Sequence, residues 1–140
     1  MAEKMRVQLI LEVLGKPKEY VYEVLEKLKE KIGEENGVTI STCSIGEPKE
    51  IKDANDFYTG FLDIEIEVEK LDVLFGMCFK YMPSHIDLIY PENISLSNSQ
   101  LNELLNFLTT KLHGYDEVAR VLQIQNEKLE KEIRDLRDKK

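Results

Sequence analysis

His85 and Asp87 stand two residues apart, so in a strand they share one face, where an imidazole and a carboxylate could act as a general acid–base pair. Asp63, Glu65 and Glu67 repeat the same step and would line three carboxylates along a sheet face, a row that could attract a divalent cation. Cys43 and Cys78 are the only thiols, and His113 is the only other histidine.

Each pattern stops short of a site. His85 and Asp87 fit a surface pair on an edge strand better than a catalytic dyad. Calcium sites need turns and carbonyl oxygens around their carboxylates, and a simple alternating row supplies neither. The two cysteines are too few and too far apart for a disulfide framework or a paired-cysteine metal site, and no His-x-x-x-His is present. The seven glycines are scattered, with no G-x-G or G-K-[ST] pattern after a strand to cradle a phosphate. No catalytic, cofactor-binding or metal-ligating residue is therefore assigned. The expectation is a protein that is not an enzyme and carries no cofactor.

The elements that hold these residues are legible from periodicity. Arg6 to Leu14 alternates, with Val7, Leu9, Leu11 and Val13 on one face and Gln8, Ile10 and Glu12 on the other. Gly15-Lys16-Pro17 ends that strand, and Pro17 suits the first turn of a helix. Val21, Val24, Leu25, Leu28 and Ile32 predict a helix over about 17–35, closed by Asn36-Gly37. Val38 to Ile45 predicts a second strand. Gly46, Pro48 and the polar run from Lys52 to Asp56 predict a long connection. Phe57 to Val68 predicts a third strand, with Leu62, Ile64, Ile66 and Val68 opposite the acidic row. Phe57 and Phe61 share the parity of that row and would form an apolar spot at its end. Leu71, Leu74, Phe75, Cys78 and Met82 predict a second helix stopped by Pro83, and His85 to Tyr90 a fourth strand.

The order β-α-β-β-α-β favours an α+β, ferredoxin-like domain over 1–95, a four-stranded antiparallel sheet with both helices on one face. That topology hosts unrelated functions, so it assigns none.

The strongest pattern lies beyond it, in a long C-terminal helix over 96–140. Ser97 and Gln100 form a capping-box pair. From there a heptad runs with Leu101, Leu108, Tyr115, Leu122, Leu129 and Leu136 at d, and Leu105, Leu112, Ala119, Asn126 and Ile133 at a. All but Asn126 are apolar. A straight surface helix drifts about 20° per heptad against a strict seven-residue repeat, so only a supercoiled partner rewards keeping one. Leu at d with a single buried Asn at a favours two strands and fixes their register. In a parallel pair, Glu132 would meet Arg137 and Lys111 would meet Asp116, both attractively, while Gln125 with Glu130 is neutral. Gly114 leaves room for a break or kink near 113–115, because glycine costs about 1 kcal/mol inside a helix.

Composition agrees with an assembly role. With 27 acidic against 19 basic residues the net charge is −8, which counts against nucleic acid as a partner. The lysines near the first helix (Lys16, Lys18, Lys27, Lys29, Lys31) are interleaved with Glu19, Glu23, Glu26 and Glu30, as on a solvated helix face. No stretch is apolar enough for a leader or a membrane span, so a cytoplasmic location is expected. The function expected is a non-enzymatic assembly module that homodimerises through its coiled coil and offers a face to a protein partner. The alternative is a small-molecule-sensing regulatory domain with its ligand site at the dimer interface.

Overall fold

The computed structural model describes residues 4–53 and 55–139. The fold is α+β, an antiparallel sheet of five strands followed by a long C-terminal helix. The chain divides into two compact units, Met1–Ser95 and Leu96–Lys140.

Alternation along β1 (Met5–Gly15) buries Val7, Leu9 and Leu11 and leaves Gln8, Ile10 and Glu12 on the opposite face. Its neighbour β4 (Tyr58–Val68) runs antiparallel over its whole length and buries Leu62, Ile64, Ile66 and Val68. Because directly opposed residues share a face, the two inward rows meet and close the centre of the core. The sheet order is β2-β4-β1-β5, with β2 (Val38–Ile45) and β5 (His85–Tyr90) at the edges.

Between the strands, α1 (Lys18–Glu34) lays Val21, Leu25 and Ile32 into this core. Pro17 stands one residue outside the helix as its N-cap, and its carbonyl accepts from Tyr20 N at 3.1 Å. At the other end Gly37 adopts φ +79°, a conformation that suits glycine and lets the chain turn into β2.

Two expectations are corrected by the structure. The sheet has five strands, because Lys49–Glu50 (β3) pairs with Thr59 and Tyr58 of β4 inside the stretch expected to be an irregular connection. The edge formed by β2 and β3 is one interrupted ribbon. Gly46 N still donates to Phe61 O at 3.2 Å, but Pro48 has no N–H to continue the ladder. A two-residue strand without hydrophobic alternation leaves no periodic signal.

The second correction concerns α2 (Leu71–Tyr81). Its buried side chains are Leu74 and Met77, while Phe75 and Cys78 are half-buried. Met82 lies outside the helix as a left-handed C-cap with φ 46° and is exposed, because Pro83 stops the helix one residue later. At Gly114, where the sequence leaves a break or kink open, residues 113–115 are helical and belong to the one C-terminal helix.

The ends of α1 and α2 are fastened by a polar clamp. The Glu35 carboxylate accepts from Lys80 Nζ and from the Tyr81 hydroxyl, the latter at 2.6 Å. Its pKa is lowered, first by the Lys80 hydrogen bond and then by Tyr81. A depressed folded-state pKa stabilises the fold above the unfolded carboxyl value, and that contribution is lost as pH falls through the folded value. Glu35→Gln should therefore lower the melting temperature at pH 7 by a few degrees and flatten its fall between about pH 5 and pH 3. An acid limb unchanged in thermal melts across that range would exclude the clamp as a contributor.

Candidate assembly surface on the C-terminal helix

The helix α3 (Asn98–Asp138) starts at a complete capping box. Gln100 N donates to Ser97 Oγ at 3.1 Å, and Ser97 N donates to Gln100 Oε1 at 2.9 Å. Two of the orphan donors of the first turn are thereby satisfied. Its 41 residues span roughly 60 Å at 1.5 Å per residue. Along the helix, Arg120 pairs with Asp116 at 3.0 Å, His113 Nε2 lies 3.1 Å from Glu117, and Lys111 sits over the Phe107 ring at 5.6 Å. These are one-turn contacts of a solvated helix, each worth a few tenths of a kcal/mol.

The seam residues lie on a stripe that winds slowly round α3. Leu101, Leu105, Leu112 and Tyr115 are exposed, Leu108 is half-buried, and Ala119 and Asn126 are exposed. Toward the C-terminus Leu122 is 54 % exposed, Leu129 55 %, Ile133 51 % and Leu136 67 %. A leucine left about half in water forgoes on the order of 1 kcal/mol of burial. A whole row of them on one helix is an exposed apolar stripe.

Some features of this surface escape the heptad. Leu104, at the position just before Leu105, is the buried side chain of the helix among the described residues. Val118, Val121 and Ile124 are exposed but lie off the seam. The run Val118 to Gln125 contains a single charge, Arg120, whereas dense charge flanks it. That local drop in charge was the available signal.

The groups whose spacing suggested chemistry share the outer sheet face, on the two strands that flank β1. His85 and Asp87 oppose Ile10 and Gln8 at the exposed face of β5. Asp63, Glu65 and Glu67 lie on the outer face of β4, where Gln8 Nε2 donates to Asp63 Oδ1 at 2.9 Å. Phe61 is exposed on the same face, while Lys16 covers the Phe57 ring at 5.0 Å. Among the described residues no group of three His, Cys, Asp or Glu side chains is placed to hold a metal ion.

Both thiols pack against the core, and burial pushes both pKa values up. They therefore stay protonated at neutral pH and are weak nucleophiles. An open groove of about 510 Å³ beside the start of α1 is lined by Lys18, Tyr22, Ile45, Glu47 and Pro48, and the exposed Lys18–Glu47 ion pair lies in it. Among the described residues no helix is long and apolar enough to cross a membrane.

A protein-family model, that of the MJ0538 family, matches residues 6–138. No curated protein and no solved structure matches the chain.

Proposed function

We propose that this chain, which belongs to the MJ0538 family, is a non-enzymatic assembly module whose C-terminal helices join two copies in a parallel coiled coil. The domain at its N-terminus is read as ferredoxin-like: setting aside the short β3, the order β2-β4-β1-β5 with antiparallel neighbours is the order a split βαβ unit requires. Dimerisation would display two copies of the outer sheet face, with its acidic row and the exposed Phe61, to a protein partner. Two linked copies bind a repeated or dimeric target more tightly than either alone.

The observation that carries the reading is the exposed seam from Leu122 to Leu136, with Asn126 between Leu122 and Leu129. The partner is a second copy because the seam is complementary to itself. In a parallel pair Asn126 meets its own counterpart and both amides are satisfied. In an antiparallel pair an a position faces d, so each Asn126 would be set against leucine. The flanking pairs Glu132–Arg137 and Lys111–Asp116 are attractive in the same parallel register.

Size-exclusion chromatography with light scattering on the full chain tests the proposal. A mass that is an even multiple of the 16.3 kDa chain is expected, and a single-chain mass at tens of micromolar would sink it. Asn126→Leu should raise the melting temperature of the helical signal and admit a mixture of oligomers. A variant that keeps one sharp oligomeric state and an unchanged melting temperature would refute the parallel register through Asn126.

A further inference from the structure

In β5 every residue except Leu88 is exposed. The strand ends the order β2-β4-β1-β5, and among the described residues no strand pairs with its far side. Ile86 and Leu88 lie opposite Leu9 and Val7, so their side chains take the core-facing side of the sheet. Leu9 and Val7 are buried, yet Ile86 is 44 % exposed. At the other edge the inward side chains are covered: Val38 is buried, and Ile40, Cys43 and Ile45 are half-buried. That edge is also interrupted, by the register shift between Ile40 and Thr42 and by Pro48. Bulges, prolines and lysines keep a sheet edge from pairing with another chain. In β5 the pairing with β1 is regular from His85 to Leu88 and shifts only at Ile89, and no proline or lysine lies between Ser84 and Leu88.

We infer that in the dimer the β5 edges of the two copies pair antiparallel about Ile86, joining their sheets into one. The inference rests on the dimer reading above and adds a contact between the domains. A second copy fits because the segment is complementary to itself in this register. Ile86 meets Ile86 of the facing strand on the core-facing side, and each covers apolar surface that the domain alone leaves in water. On the outer face His85 comes opposite Asp87 twice, by symmetry, and the imidazole N–H can donate to the carboxylate. Leu88 comes opposite Ser84. Recentring the pair on Asp87 or on His85 would set those residues against their own copies, so like groups oppose the neighbouring registers. One two-fold axis can serve this contact and the coiled coil. Tyr90 lies four residues from Ile86, roughly 13 Å from the axis. Helices of a coiled coil lie about 8–10 Å apart, so each chain must move inward by roughly 8 Å. Residues 91–97 can span roughly 20 Å, which is ample. The coil in turn holds the two edges at an effective concentration in the millimolar range, enough to close a contact too short to hold free domains together.

Cross-linking and hydrogen exchange on the full chain test this. A short bis-maleimide should join two chains of Ile86→Cys, a substitution the domain tolerates because Ile86 is already exposed. The unaltered chain, with only Cys43 and Cys78, should not be joined, nor should Thr39→Cys at the opposite edge. In the unaltered chain, amides between Ile86 and Leu88 should exchange at least tenfold more slowly than in Leu129→Asp, which breaks the coil. His85→Asp should remove that protection by setting carboxylate against carboxylate, and adding Asp87→His should restore it. A two-chain mass with neither the cross-link nor the protection would overturn the edge pairing and leave the dimer reading standing. A single-chain mass would overturn both.

Discussion

Leu129→Asp should convert the assembly to single chains while leaving the N-terminal domain folded. Leu129 is at a d position and 55 % exposed in the single chain, so replacing it removes little from the isolated fold. In a parallel pair, however, d residues face each other across the seam. Because about half of each side chain is already covered, losing two leucines forfeits roughly 1.5–3 kcal/mol of the burial gained on association. At 1.4 kcal/mol per tenfold, that alone weakens association by about 10 to 10². The two introduced carboxylates would be buried side by side with no counter-ion, which adds several kcal/mol more. Light scattering should give a mass near 16.3 kDa, and the near-ultraviolet circular dichroism of the domain tyrosines should be unchanged. An oligomer that survives this substitution would have to be held somewhere other than the seam.

Such a clean separation is expected because different signals wrote the two units. In the domain, period-two alternation marked β1 and β4 so plainly that the inward residues Val7, Leu9, Leu11, Leu62, Ile64, Ile66 and Val68 are those the structure buries. The bounds of β2 and β5 match their expected runs because turn residues flank both. What escaped were features that depend on distant neighbours. Met77 is buried, though it falls outside the spacing chosen for α2, because burial there depends on the tertiary surroundings of the helix. The Glu35–Lys80–Tyr81 clamp joins residues more than forty positions apart, and local charge spacing does not report such a pair. In α3 the capping box at Ser97 was legible, since both partners lie within one turn. The heptad was legible too, but a seven-residue repeat marks a single face. Val118 and Val121 belong to another face, of which that repeat says nothing.

The second large effect is expected in the domain, at Gly60. This residue is buried in β4 opposite Val13, at a point where α1 crosses the sheet. A Cβ built there would lie 2.8 Å from Leu25 Cδ1 and 2.8 Å from Val21 Cγ1. Neither neighbour can swing clear, because both side chains are fully buried. The conflict with two locked side chains must be met by moving α1 or straining rotamers, at a cost of about 1–3 kcal/mol even for alanine. That is a large share of the roughly 5–15 kcal/mol that stabilises a typical domain. Gly60→Ala should accordingly lower the unfolding midpoint in urea, and Gly60→Val should lower it further. Leu25→Ala alone opens a cavity costing about 2–5 kcal/mol. Combined with Gly60→Ala, it should fall short of the sum of the two by about 1 kcal/mol, because the new methyl fills part of the space that the leucine vacates. A thermodynamic cycle on the four proteins measures this coupling. Strict additivity would mean that the sheet does not hold α1 at the distance described, and that glycine at position 60 is tolerated there without being required.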